Sequence, residues 1–391
     1  MKRILLVNKS FALGGIETAL NNMTSNLVDS YKIDLLLFYP EGPLKNGLPS
    51  NVNIIKPSMY VEALGMPFVY CLKHGSFRQK IFRLFATIWT KLFSNRFPIK
   101  LALKYQAKLS GYDLAIAYHH ETDKHTVTSG FTRLIDNCVE ADRKVAWIHY
   151  DPDKVSFDES YNEPFYLKMD KIVCVSNSVK SKFVDKHPLL ADKTIVCYNF
   201  LNYERIYNLS DMNYDIGFSS VNINLFSACR LTPEKGIPRA IIATSEIFRR
   251  NTDLKWYIAG DGKEREEIER IIHEEKLEKS IFLIGHVDNP YVYIRNADVL
   301  MVVSYHEAAP MVYLEAKAFD TCILSTEISS AREILTDKEK HIICENSSEG
   351  IIRALNLIIR NKAKIKEYRK RVIQRRNNAI QLKQISSIFE E

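Results

Sequence analysis

Val299-Leu300-Met301-Val302-Val303, followed by Ser304-Tyr305-His306-Glu307-Ala308-Ala309-Pro310-Met311-Val312-Tyr313-Leu314-Glu315-Ala316, is the stretch from which the fold is read. An apolar run of strand length enters a short polar loop carrying Glu307. The loop enters a helical run with Pro310 placed for its first turn. A continuous apolar run of this kind suits a strand covered on both faces of a parallel sheet, with a helix crossing back after it. The loop then lies beyond the carboxyl end of a strand, where such sheets bind ligands. Glu307 stands at the helix mouth, and Glu315 lies about two turns along the helix at ~1.5 Å per residue. The helix mouth offers free backbone N–H groups that suit phosphate, with Ala309, Pro310, Met311 and Val312 as the donor-binding candidates there.

The same strand–loop–helix unit recurs outward from this stretch. In the second half, an apolar run at 223–229 leads to Arg230 and Lys235, and one at 254–259 leads to Gly260-Asp261-Gly262. Further strands are expected at 281–285 and, as the last clear one, 322–326. In the first half, residues 1–8 lead to Gly14-Gly15 and a helix ending near residue 28. Strands at 33–39, 113–118, 144–149, 171–176 and 194–199 follow. The alternation predicts two doubly wound units, 1–205 and 206–372, with 373–391 as a C-terminal helix crossing back to the first. A helical insertion occupies about 63–110.

With 391 residues the chain is long enough for two domains. Its seven cysteines form no C-x-x-C pair, which suits reduced core residues of a cytosolic protein rather than a disulfide frame or zinc site. The N-terminal apolar run is too short for a signal peptide, and no run reaches the ~18 apolar residues that would span a membrane. The net charge of +7 is uneven: no Asp or Glu occurs from Ala63 to Tyr112, where Lys73, Arg78, Lys80, Arg83, Lys91, Arg96, Lys100, Lys104 and Lys108 interleave with apolar and aromatic residues. That pattern suits an anionic membrane surface; the alternative is a solvated helix pair whose apolar side is core. Nucleic acid is not expected as a partner, since no recognised motif accompanies the charge. A second basic run comprises Arg360, Lys362, Lys364, Lys366, Arg369, Lys370, Arg371, Arg375 and Arg376.

Arg230 and Lys235, at a turn shaped by Pro233 and Gly236, suit a diphosphate. Gly260-Asp261-Gly262 can bring backbone close to the same ligand, and Glu307 and Glu315 complete the set. Each also has an ordinary reading: Arg230 paired with a surface acid, Gly-Asp-Gly as a common turn, Glu315 as a solvated helix residue. The set gains weight because each member follows a strand of one sheet. In the first half, Gly14 and Gly15 precede a helix N-terminus suited to an anion, or form a plain βα turn. His149 stands at a strand end, as a functional group or as a histidine satisfied by a local hydrogen bond. His119-His120-Glu121 is not expected to bind a metal, because adjacent side chains of an extended segment point opposite ways.

In order, Arg230-x4-Lys235-Gly236, Gly260-Asp261-Gly262 and Glu307-x7-Glu315 resemble the donor-binding half of the retaining glycosyltransferases of family 4, the glycosyl transferases group 1. Gly14-Gly15-Ile16-Glu17 and Trp147-Ile148-His149 resemble that family's N-terminal half, so the similarity covers nearly the whole chain. The resemblance implies the α/β GT-B fold, two Rossmann-like domains facing each other across a cleft. The first would bind the acceptor and the second the nucleotide sugar. It implies transfer from a nucleotide sugar, most often a UDP-sugar, with no cofactor and no bound metal. Arg230 and Lys235 would neutralise the diphosphate, Glu307 hold sugar hydroxyls, and Glu315 hold the ribose. His149 would lie near the transferred centre, and Gly14-Gly15 near the diphosphate.

The chain departs from the family pattern at Ala308, where Gly is usual and a methyl would narrow the sugar pocket. Phe319-Asp320-Thr321-Cys322 also replaces a Gly-x-Pro-type turn, and Ser329-Ser330-Ala331-Arg332-Glu333 lacks a glycine often found before the final Glu. The expected activity is transfer to a lipid-linked or growing glycan in capsular, exo- or O-antigen polysaccharide synthesis. The expected location is cytoplasmic, peripheral at the inner face of the cell membrane. The alternatives are an epimerase or phosphorylase of the same fold, and a catalytically degenerate sugar-nucleotide-binding subunit.

Overall fold

The computed structural model describes residues 1–154, 159–337, 340–369, 373 and 375–390. Short apolar strands, each returned by a helix, build two separate parallel sheets. The first contains β1 (Arg3–Asn8), β2 (Lys32–Leu37), β3 (Asn53–Ile55), β4 (Leu109–Ala117), β5 (Val139–Ile148), β6 (Lys171–Cys174) and β7 (Thr194–Val196). Their order is β3-β2-β1-β4-β5-β6-β7. The second contains β8 (Ile223–Ala228), β9 (Leu254–Ala259), β10 (Ile281–Gly285), β11 (Val299–Val302), β12 (Cys322–Thr326) and β13 (Ile342–Cys344), in the order β10-β9-β8-β11-β12-β13. Both are Rossmann-like. The reversal in strand order falls at β1/β4 in one and β8/β11 in the other, which brings the loops after those strands side by side.

Several elements differ from the sequence expectation. The edge strands β3 and β13 have only three residues each, too few for a visible period. β4 begins at Leu109 and β5 at Val139, several residues before their apolar runs. Their first residues are mostly exposed or half-buried, so they carry no apolar run to mark the strand. Pro310 stands just before the helix Met311–Ala318 as its N-cap, with extended ψ of 125°. Asp320 takes a left-handed φ of 59° in the turn that replaces Gly-x-Pro. Asp is one of the few L-residues that visits that region at modest cost, and its carboxylate pairs with Lys340.

By contacts, the chain divides into Met1–Phe200 together with the segment from Asn378, and Leu201–Asn377. The closing helix Ala379–Glu390 packs on the first unit. There Ile385 and Ile388 are buried, Phe389 stacks on Tyr31 at 5.2 Å, and Asn378 Nδ2 donates to Asn26 Oδ1 at 2.8 Å. The 63–110 region forms the helices Phe68–His74, Phe77–Leu92 and Arg96–Lys104. The alternative in which their apolar side is core holds only in part for Phe77–Leu92: it buries Gln79, Phe82, Arg83, Ala86 and Thr90, half-buries Phe85 and Trp89, and exposes Phe77, Ile81, Leu84, Ile88 and Leu92. Of the C-terminal basic run, Lys370 and Arg371 lie outside the described residues. Among the described residues, no helix is long and apolar enough to cross a membrane.

Candidate functional site

Neighbouring strands β9, β8 and β11 of the second sheet end in loops carrying Gly260–Gly262, Arg230–Lys235 and Ser304–Glu307. The first two loops are tied by backbone: Leu231 N–H donates to the Asp261 carbonyl at 2.9 Å, and Glu264 N–H to the Leu231 carbonyl at 3.0 Å. At Gly260, φ is 132° and an added Cβ would lie 1.8 Å from the Cys229 carbonyl oxygen. The glycine is thus required by the close approach of the adjoining loop. The Arg230 and Glu307 loops are joined in turn, with Tyr305 N–H donating to the Glu234 carbonyl at 2.8 Å.

Across that join, Lys235 Nζ meets Glu307 Oε1 at 2.5 Å, and Ser304 Oγ donates to the same oxygen at 3.1 Å. Both charged side chains are largely buried, at 14% and 19% exposure, so the pair is weakly screened. Arg230 differs: it is 66% exposed, and its ion pair, at 3.6 Å, is with Glu234 of its own loop. The structure therefore brings Lys235 and Glu307 together and leaves Arg230 at the rim.

Behind Glu307, no side chain caps the helix Met311–Ala318, and among the described residues none occupies the N–H groups of Met311 and Val312. Ala309, Met311 and Val312 line this mouth with Pro310. Glu315 is not solvated. It is buried, no hydrogen bond or ion pair reaches its carboxylate among the described residues, and burial pushes its carboxyl up to about 7. A buried acid without a partner suits a site that receives hydroxyl donors from a ligand.

Two supporting residues escaped the sequence reading. Arg239 donates to the Val303 carbonyl at 2.9 Å and lies over the Tyr305 ring at 3.8 Å. Asn346, just past β13, donates to the Tyr305 carbonyl at 2.8 Å and accepts from Arg239 at 2.9 Å. Together they fix the backbone that presents Glu307. Arg239 had a faint signal, one turn beyond Lys235 on the same face; Asn346 had none, because its strand was not legible.

In the first unit, β1, β4 and β5 are neighbours and end at Gly14-Gly15, His119-His120 and His149. Gly14 is extended, at φ −175°, and an added Cβ would strike Glu17 Oε2 at 2.5 Å; at Gly15 nothing lies within 4 Å, so the helix mouth is open there. His149 is half-buried beside the Tyr118 ring, at 4.7 Å. Burial, and then the nearby His119, lower its pKa to about 3, so the ring is neutral at ordinary pH. The Tyr118 backbone holds one ring nitrogen, and Nε2 has no hydrogen-bond partner among the described residues. The opposite facing expected of His119 and His120 is not found: their rings lie 4.8 Å apart, because the chain leaves the extended strand at Ala117. Glu121 turns away, accepting from Ser129 Oγ at 2.6 Å, Gly130 N–H at 2.7 Å and Arg133 at 3.1 Å.

Residues 218–378 match the model of the family Glycosyl transferases group 1. The chain is similar to an uncharacterized glycosyltransferase of Methanocaldococcus jannaschii, 22% identical over 57% of this chain and 58% of that one. It is also similar to the N-acetylgalactosamine-N,N'-diacetylbacillosaminyl-diphospho-undecaprenol 4-alpha-N-acetylgalactosaminyltransferase of Campylobacter jejuni, 28% identical over 47% of this chain and 49% of that one. The chain spans about half the length of the curated relatives it matches. Among solved structures, Anabaena HepE in complex with UDP and glucose matches with a TM-score of 0.70 at 16% identity, covering both chains in full. The two parallel-sheet, Rossmann-like units are those of the GT-B fold.

Proposed function

We propose that this protein is a glycosyltransferase that takes a sugar from a nucleotide-sugar donor, a UDP-sugar, and passes it to a glycan or lipid-linked acceptor with retention of anomeric configuration. The observation that carries the reading is the half-site of the second unit: the Lys235–Glu307 pair beside an uncapped helix mouth, with Glu315 buried behind it and without a partner among the described residues. The match of residues 218–378 supports the reading, as do the diphospho-undecaprenol in the name of the Campylobacter relative and the UDP held by HepE.

Breaking the anomeric C–O bond leaves negative charge on the diphosphate and positive character on the sugar. Lys235, Arg230 and the mouth formed by Ala309, Pro310, Met311 and Val312 stabilise the former, with Gly260-Asp261-Gly262 as the neighbouring wall. Glu307 accepts from sugar hydroxyls and Glu315 from the ribose. Neutral His149, through its open Nε2, hydrogen-bonds the transferring sugar, and Gly14-Gly15 serve the diphosphate. The acceptor hydroxyl attacks from the leaving-group side and gives its proton to the departing diphosphate oxygen. Because side chains and backbone supply the positive charge, chelating divalent ions should leave turnover unchanged. The biological role in this reading is cell-surface polysaccharide synthesis.

The test is transfer from a panel of UDP-sugars to lipid-linked and free glycan acceptors, with Lys235→Ala beside the wild type. The expected loss is about 10²-fold or more in kcat/KM; wild-type turnover by Lys235→Ala would overturn the site, and UDP binding without transfer across the panel would favour a binding subunit.

A further inference from the structure

The helix Phe77–Leu92 turns a mixed side inward, burying Phe82 and Ala86 together with Gln79, Arg83 and Thr90. Arg83 donates to the Leu64 carbonyl at 2.7 Å, and Gln79 to Glu62 at 2.9 Å, which anchors that side to the first unit. The side facing outward carries Phe77, Ile81, Leu84, Ile88 and Leu92, exposed by 78%, 54%, 48%, 51% and 69%. Their spacing of four, three, four and four places them in one stripe, ~80° wide at ~100° per residue. Lys80 and Lys91 fall along one edge of the stripe and Arg78 along the other. Among the described residues none of the three forms an ion pair, and no acid occurs from Ala63 to Tyr112.

Five large apolar side chains in one exposed row need a cover. A second copy of the chain would bring two acid-free basic surfaces together, which charge repulsion opposes. A layer that is apolar inside and anionic at its surface answers both parts of the pattern. We propose that this face docks on an anionic lipid bilayer. Phe77, Ile81, Leu84, Ile88 and Leu92 enter the boundary between headgroups and acyl chains, while Arg78, Lys80 and Lys91 reach along the stripe's edges to lipid phosphates. The helix lies in the plane of the interface. Arg83 lies on the inward face, and so shares the helix without sharing the role.

The inference stands apart from the sugar-transfer reading, since vesicle binding reports one and UDP binding the other. The experiment is co-sedimentation of the full chain with phosphatidylcholine vesicles, with and without phosphatidylglycerol. Three proteins are compared: wild type and the variants Ile81→Ser/Ile88→Ser and Lys80→Glu/Lys91→Glu. Ile81, Ile88 and Lys91 are exposed and Lys80 is half-buried, its Nζ donating to the Lys73 carbonyl at 3.3 Å; far-UV circular dichroism and the urea midpoint verify that each variant is folded. Wild type should partition onto phosphatidylglycerol-containing vesicles and much less onto pure phosphatidylcholine. Each double variant should lose about tenfold or more of that partition. Equal partition of wild type and either double variant overturns the proposal. So does a wild type that ignores vesicles but forms a dimer which Ile81→Ser/Ile88→Ser dissolves, since the cover would then be a second copy. Absent vesicle binding together with Lys-dependent capture of an acidic protein overturns it in favour of a protein partner.

Discussion

Inside the helix Met311–Ala318, Glu315 holds a carboxyl that burial pushes up to about 7, against an ordinary value of 4.5. Between those two values the folded state binds more protons than the unfolded chain, so stability falls as pH rises through the window and the loss is complete above it. The expected loss is on the order of 3 kcal/mol. Urea unfolding at pH 5 and pH 8 should show it, and Glu315→Gln should flatten the difference. Hydroxyl donors from a bound ribose would favour the anion. UDP affinity should therefore rise with pH through about 7 in the wild type and stay level in Glu315→Gln; a parallel rise in both would remove Glu315 from the site. The pair beside it is tested by a double-mutant cycle on Lys235→Met and Glu307→Gln. Its low exposure predicts a coupling energy of about 1–3 kcal/mol in stability. Glu307 and Glu315 were both legible as candidates from their spacing. That one is paired and the other is not depends on which side chains β8 and β11 bring within reach.

At the scale of elements, the glycines separate into two kinds that look alike in sequence. Gly260 combines φ of 132° with a Cβ position 1.8 Å from the Cys229 carbonyl, so Gly260→Ala should cost ~3 kcal/mol or more and be read as a lowered urea midpoint. Gly15 has nothing within 4 Å of its Cβ position and opens a helix, where Ala is the better helix former. Gly15→Ala should leave the midpoint unchanged or slightly raised. If it weakens UDP-sugar binding or turnover while remaining folded, the open space at Gly15 belongs to a ligand; unchanged kinetics would leave the glycine as a plain turn. The long central strands were legible because each is an apolar run between loop signals. β3 and β13 were not, since three-residue edge strands have little side-chain burial to imprint on the sequence. Losing β13 also concealed Asn346, which depends on that strand for its reach to Tyr305.

At the scale of the molecule, the chain returns to its first unit at Asn378. The closing helix buries Ile385 and Ile388 and caps β1 through Lys2, which lies over the Phe389 ring at 4.5 Å. Burying two isoleucines is worth ~3–6 kcal/mol. Ending the chain at Asn377 should destabilise the first unit by about that amount and leave the second nearly unchanged. Hydrogen exchange resolved by peptide would check this: protection should fall across β1 and the helix Gly15–Leu27 and persist across β8, β9 and β11. A uniform fall would mean that the two units unfold as one.

The α/β class, the two doubly wound units and the chain positions of the loops that carry the candidate site are written in the order of the residues alone. Each of these follows from local periodicity and from the rule that parallel strands need crossover helices. Tertiary structure alone decided which loops adjoin, because strand order reverses at β8/β11 and β1/β4. It also decided that Lys235 rather than Arg230 faces Glu307, that Gly260 yields to a neighbouring carbonyl, and that Glu315 is buried without a partner among the described residues. It decided as well that the basic helix Phe77–Leu92 faces outward with its apolar stripe. Hydrophobic periodicity identifies an apolar side, but only packing determines whether that side meets the core.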